Sequence, residues 1–450
     1  MTEVIGSAGL SVQDLDALSD RFELAVAAAQ KMRKRGAVGF WDLPYRRKLY
    51  QQVEGLSRAL VGFHDIVFLG VGGAIAGCKV MAESLPQHPK SAKSQPRFHF
   101  PNTIDPDALS RLVGSLNLKK TAVILVSKSG SSPESLACFF WLEEIMREAV
   151  GEKRLPRHFV IATDLEHGPL KEIATDLGCC LVPFPENVGG RFAGLTSIGL
   201  LPAAVAGVSI EKVIRAAVRM DQRCKNPSWR LNPALALAGA LYLNYTARKR
   251  PVWLWVPFAE NLEGLVSWCC HLMTESLAKH TDRNGAVVDT GPVQSVGCTG
   301  DVYAHLQSLV EGADQQLAVV VSRSKSARSL RVNGKKGHAR AAQYLAGTSL
   351  ETVFDAERKA FEYTLREKGK PCLALRLGAV EPTTVAPVIF LLQAAVTYLG
   401  ELQNINIFEQ PTAISGKECA ASILGSGHGN FSPSEVEKSL RPRRDFMIPV

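Results

Sequence analysis

Short apolar runs alternate with amphipathic stretches along most of the chain. DIVFLGV (65–71), RFHF (97–100), TAVILVSKS (121–129), HFVIAT (158–163) and CLVPF (180–184) read as strands. Several are continuously apolar rather than alternating, the pattern of strands covered on both faces, which parallel sheets require. Helices are expected over 12–34 and 43–62, then over 75–84 and 134–149, the last opened by Pro133. The pattern then recurs more loosely. A helix over 234–248 leads to a strand, VWLWVP (252–257), a helix over 262–280 and an irregular stretch to 300. Strands LAVVVS (317–322) and CLALRL (372–377) follow, with helices over 303–311, 339–347, 353–368 and 384–402. The predicted fold class is α/β: two α/β sandwiches with parallel sheets covered by helices, plus helical N- and C-terminal segments. The expected division is 1–50, 51–230, 231–403 and 404–450, with the sandwiches joined near 208–232.

Composition fits a chain that buries large cores: 450 residues, 46% hydrophobic, 21% charged. Lys and Arg number 52 against 43 Asp and Glu, a net charge of +9. The basic clusters Arg33-Lys34-Arg35, Lys335-Lys336 and Arg441 to Arg444 read as solvated faces and a basic tail. No nucleic-acid module accompanies them, so no nucleic-acid partner is expected. A mildly positive field also draws in an anionic metabolite. The apolar run APVIFLLQAAVTYLG (386–400) is too short to span a bilayer and is interrupted by Gln393, so it reads as a buried helix and no membrane partner is expected. Ten cysteines without a CxxC pair argue against zinc. The N-terminus MTEVIGSAGLSVQ lacks a secretory pattern, and reduced thiols in a cytoplasmic protein fit best.

Four segments carry chemistry. GVGGAIAG (70–77) stands between a strand and a helix, where glycines such as Gly72 and Gly73 let backbone N–H groups approach an anion. A dinucleotide fingerprint would need a third glycine where Ile75 stands. A tight turn with no ligand remains the alternative. In SKSGSSPES (127–135), Ser127, Ser129 and Ser132 can donate to phosphate oxygens beside Lys128, with Ser132 as N-cap and Pro133 first in the helix. An ordinary serine-rich capping turn is the alternative there, and Glu134 complements the helix dipole. VGGRFAGL (188–195) places Arg191 after two glycines, so its fixed charge can project into a cleft, or pair on a surface. Glu275 lies in an otherwise apolar helix, CCHLMTESLAKH. It is either a general base or one half of a helical ion pair with Lys279.

Together these residues resemble the phosphoglucose isomerase family from about residue 64 to 425. VGGRFAGLTSIGLLPAAVAG (188–207) is similar to that family's VGGRFS-x-L-S-x-x-G-L-L-P-A-x-x-A-G stretch, and SKSGSSPES to its phosphate loop. TESLAK (274–279) is similar to its ES-x-GK, and INIFEQPTAISGK (405–417) to its D-Q-x-x-V-E-x-x-K. The resemblance implies two sugar-isomerase (SIS) domains, a homodimer with a site shared between chains, and no metal or cofactor. It implies interconversion of glucose 6-phosphate and fructose 6-phosphate in glycolysis and gluconeogenesis. Carried over by position, Glu275 is the proton-transfer base and Arg191 stabilises the enediolate. Ser127, Lys128, Ser129 and Ser132 form the phosphate loop, Gln410 touches substrate, and Lys417 assists ring opening.

The chain departs from the pattern at several positions. Ala74 stands for a serine, Ala278 for a glycine, and Ala413-Ile414 for Val-Glu. The family's ring-opening histidine aligns with Tyr303, and Ala304 takes the place of its serine, while His305 follows two residues later. In a helix two residues turn a side chain by roughly 200°, so Tyr303 and His305 point opposite ways. A tyrosine, with a reference pKa of about 10, is a poor base at neutral pH. Isomerisation of another sugar phosphate, and non-catalytic phosphosugar binding, are the alternatives to be tested.

Overall fold

The computed structural model describes residues 8–86, 95–166, 168–288, 290–298, 300–333, 340–426 and 431–440. The basic clusters Lys335-Lys336 and Arg441 to Arg444 lie outside them.

Two parallel sheets form the frame, as the buried apolar runs predict. The first contains β1 (Asp65–Leu69), β2 (Arg97–His99), β3 (Thr121–Val126), β4 (Phe159–Thr163) and β5 (Cys180–Pro183), in the order β2-β1-β3-β4-β5. The second contains β6 (Val252–Phe258), β7 (Val293–Ser295), β8 (Gln316–Arg323) and β9 (Cys372–Leu377), in the order β7-β6-β8-β9. Every pairing is parallel; Asp65 aligns with Thr121 and Trp253 with Leu317. β7 falls in the stretch expected to be irregular. It is a three-residue edge strand with two exposed polar residues, Gln294 and Ser295, and so has no apolar periodicity to betray it.

Strand alternation divides the core. Ile66, Phe68 and Ile124 face one way, with Ile75 and Cys78 of helix Gly73–Glu83. Leu69, Val123 and Leu125 face the other, with Phe139 and Leu142 of helix Pro133–Val150. In the second sheet Trp253, Trp255 and Val319 pack with Trp268 and Leu272 of helix Glu263–Leu277. Leu254, Val256 and Val320 pack on the opposite face with Leu309 and Phe361. The two sheets therefore repeat one construction.

The segment 208–232 contains a helix not expected from the sequence, Ile210–Cys224, whose Ile210, Val213, Ile214 and Ala217 recur at helical spacing and are buried. Two expectations need correction. The segment 12–34 is two helices, Val12–Asp16 and Ser19–Lys34. Arg33 does not lie on a solvated face: its guanidinium bonds the buried Asp221 at 2.9 Å and Asp42 at 2.8 Å.

The apolar run 386–400 belongs to a longer helix, Pro382–Leu402, with 89% of its most apolar window buried inside the protein. It packs against helices 210–224, 233–246 and 263–277 and the turn 190–195. Its length and composition would suit a membrane span, but here it is the central core helix. Gln393, which interrupts the apolar run, donates from Nε2 to the Phe192 carbonyl at 2.9 Å. A buried amide at that position fixes the turn that carries Arg191.

Candidate active site

The first sheet ends in two turns at the carboxyl ends of β1 and β3. Here the chain leaves toward opposite faces, the place where open α/β sheets hold ligands. Gly72 caps helix Gly73–Glu83 with φ of 89°, a conformation a side chain would strain. Gly73 is close-packed: a Cβ there would lie 2.6 Å from Arg191 Cα. This contact explains why a glycine pair faces the Gly-Gly-Arg turn. Gly73→Ala should cost about 1–3 kcal/mol by overpacking and should lower activity by displacing Arg191; denaturant melts and turnover check both.

The turn after β3 has the expected form. Ser132 is the N-cap residue of helix Pro133–Val150, with Pro133 opening it, but its hydroxyl makes no capping bond. It lies 3.4 Å from the Ser129 hydroxyl instead. Ser127 is buried, Ser132 half-buried and Ser129 exposed, so the three hydroxyls line a graded opening. Lys128 turns away from that opening and donates from Nζ to the Glu186 carbonyl at 2.6 Å. Burial lowers its pKa, against the pull of Asp164 and Glu186.

Arg191 sits in the 3-10 turn Gly190–Leu195 and is only 2% exposed. Nε donates to Ser276 Oγ at 2.9 Å, Nη2 to the Ile407 carbonyl at 2.6 Å, and Nη1 to Glu275 Oε2 at 3.2 Å. The Trp268 indole donates to the Arg191 carbonyl at 3.2 Å. Gln410 closes the group. With its amide oriented by its neighbours, it donates to Glu275 Oε2 at 3.0 Å and accepts from Arg191 Nη1 at 2.7 Å. Three segments far apart in sequence thus converge on one carboxylate. Burial depresses the Arg191 pKa, while Glu275 opposes that shift.

The helical ion pair between Glu275 and Lys279 does not form. Helix Glu263–Leu277 stops two residues before Lys279, whose ammonium donates to the Glu275 and Glu409 carbonyls at 3.1 and 2.6 Å. Ala278, in the position where the family has glycine, is exposed just beyond the helix end. Lys417 lies seven residues after Gln410 in helix Pro411–Ile423, two turns along the same face. It is exposed, and its charge favours the ionised form of Glu275.

One residue of the site went unread in the sequence. His271, one turn before Glu275, brings Nε2 to 3.0 Å from Glu275 Oε1. The distance is short but the alignment is poor. Applying i,i+4 spacing upstream of Glu275 as well as downstream would have found it. Burial raises the Glu275 pKa, but His271, Arg191 and Lys417 outweigh burial and leave it below the ordinary value. Removing His271 makes the carboxylate costlier to ionise, so its pKa rises. His271→Leu should therefore move the acid limb of the kcat/KM profile to higher pH, with His271→Gln, which retains a donor, moving it less. A limb at the same pH in both variants would contradict this role.

Tyr303 and His305 are not brought to Glu275 within one chain. Helix Val302–Glu311 packs against helix Leu350–Glu367 on the face of the second sheet opposite helix Glu263–Leu277. Tyr303 is 53% exposed and His305 half-buried.

Comparison with known proteins shows the family. The family model described as phosphoglucose isomerase matches residues 54–440. A glucose-6-phosphate isomerase from Carboxydothermus hydrogenoformans is 29% identical, over 97% of this chain and 95% of that protein. One from Thermus thermophilus is 32% identical, over 88% of this chain and 92% of that protein. The solved structure of a hypothetical protein, also from Thermus thermophilus, superposes with a TM-score of 0.84 at 30% identity, covering 92% of this chain and 97% of that one. The arginine–glutamate–glutamine cluster is therefore set in a chain that belongs to the phosphoglucose isomerase family.

Proposed function

We propose that this protein is an aldose–ketose isomerase that interconverts glucose 6-phosphate and fructose 6-phosphate. The observation that carries this reading is the single carboxylate, Glu275, bracketed by Arg191, Gln410 and His271. The seryl turn 127–132 and the backbone at Gly72 and Gly73 grip the phosphate, a part of the substrate that does not react. After ring opening, the ionised Glu275 removes the proton from C2. The electron pair forms the C1–C2 double bond, and the C1 carbonyl oxygen becomes the enediolate oxygen. Arg191 stabilises that charge in a site largely shielded from water. Glu275 then returns the proton to C1 while the hydroxyl proton on the C2 oxygen passes to the C1 oxygen, so that the C2 oxygen becomes the carbonyl and the C1 oxygen the hydroxyl.

Ring opening falls to Lys417 and to a donor from a second chain. In this reading the protein is a homodimer, and helix 302–311 of one chain supplies Tyr303 or His305 to its partner's cleft. Support comes from the placement of that helix on the far face of the second sheet. The division at 51–230 and 231–403 assigns the phosphate loop to the first SIS domain and the base to the second, with 404–450 completing the site. A cytoplasmic location accords with the free cysteines.

A coupled assay over a panel of sugar phosphates tests the substrate. The expected result is the highest kcat/KM with fructose 6-phosphate. Faster turnover of another aldose or ketose phosphate would reassign the substrate, and no turnover of any would leave a binding protein.

A further inference from the structure

The two sheets share a topology, so each part of the first site has a counterpart in the second. β6 stands for β1 and β8 for β3. Helix 263–277 follows β6 on one face and helix 350–367 follows β8 on the other, as helices 73–83 and 133–150 follow β1 and β3. The sequence repeats as well. The apolar run of β3 ends in Ser127-Lys128-Ser129, and that of β8 in Ser322-Arg323-Ser324-Lys325-Ser326.

At the carboxyl ends of β6 and β8 lies an open cavity of ≈ 990 Å³, lined in part by Ala259, Asn261, Ser322, Arg323, Ser324 and Ser326. That is ample for a small phosphorylated metabolite. Two side chains there stand at the turn, and the charged one lacks an ionic partner among the described residues. Ser322 is 1% exposed as a residue and lines the cavity. Arg323 reaches the Asn261 amide oxygen at 3.4 Å and pairs with no carboxylate among the described residues. Arg358 and Arg376, also on the wall, are by contrast already held by Glu362. One loop amide, Ser326 N, donates to the Glu351 carboxylate at 3.2 Å, so an anionic group already sits against this turn.

We propose that this cavity is a second anion site, which takes the phosphate group of a sugar-sized phosphomonoester between Ser322, Arg323 and Ser324. Lys325 stands where the first turn has Gly130, so the backbone approaches less closely and side chains carry the grip. The Glu351 carboxylate yields the Ser326 amide to the ligand. The proposal borrows its form from the seryl turn of the first site, yet stands whether or not that site turns over substrate.

Calorimetric titration with glucitol 6-phosphate, which has no carbonyl to isomerise, tests it. The wild type should bind two molecules per chain. Arg323→Ala should weaken one of them at least about tenfold, the loss of a charge-assisted contact, with turnover of fructose 6-phosphate unchanged. One molecule per chain that is indifferent to Arg323→Ala, or two that are both indifferent, would overturn the proposal. One molecule lost with Arg323→Ala would support this site while removing the first. Should Arg323→Ala fail to fold, wild-type crystals soaked in inorganic phosphate decide. Phosphate within hydrogen-bond distance of Ser322 Oγ supports the site, and its absence there contradicts it.

Discussion

Glu275→Gln should lower kcat for fructose 6-phosphate by about two to four orders of magnitude, the usual worth of a positioned general base. KM should change little, because phosphate binding does not involve this carboxylate. Glutamine keeps the shape and an oxygen for Arg191 Nη1, now 3.2 Å from Glu275 Oε2. The fold should therefore survive, and thermal melts of wild type and variant should nearly coincide. A variant that keeps full turnover would show that Glu275 is not the base.

The second large effect belongs to Arg191. Its guanidinium satisfies Ser276, the Ile407 carbonyl and Glu275 at once, and it is almost fully enclosed. Arg191→Ala leaves the Ile407 carbonyl without this donor and removes one of the donors to the half-buried Glu275. Leaving a buried acceptor unpaired costs about 1–3 kcal/mol, so the variant should unfold at lower denaturant. Arg191→Lys separates this structural role from catalysis. It keeps the charge but cannot present the planar fork that reaches Ser276, Ile407, Glu275 and Gln410 together. It should retain more stability than Arg191→Ala while still losing at least about a hundredfold in kcat, the range seen when an oxyanion donor is removed. Full activity in Arg191→Lys would contradict enediolate stabilisation by the guanidinium.

Much of this was legible in the sequence because the apolar runs are long and continuous. β3 and β8, each buried along almost its whole length, announce parallel sheets without help from any motif. The site was legible where local chemistry is unusual: a carboxylate in an apolar helix, an arginine after paired glycines, hydroxyls clustered before Pro133. What stayed hidden was set by tertiary contact. Gln393 reads as a flaw in an apolar run until the Phe192 carbonyl is placed beside it. Lys279 has ideal spacing for Glu275, but the helix ends first and the ammonium turns to carbonyls. His271 has the same spacing in the other direction, inside the helix, and that contact forms. The helix 210–224 hid for another reason. It carries many charges on its outer face, so its composition resembles a linker although its spacing does not.

The placement of helix 302–311 also changes how Tyr303 must be understood. As an isolated substitution it removes a ring-opening base from the site. On the face of the second sheet away from Glu275, any side chain at 303 serves a neighbouring cleft or none. In the proposed dimer, loss of ring opening and retention of proton transfer would be separable, because helices 302–311 and 263–277 pack on different faces of the same sheet.

Transfer of a proton by one carboxyl group between adjacent carbons of a phosphate-anchored sugar can be watched by proton NMR of glucose 6-phosphate incubated with the protein in deuterated water. The C2 signal should fade in the presence of wild type and persist with Glu275→Gln. Fading at the same rate with both proteins would contradict it.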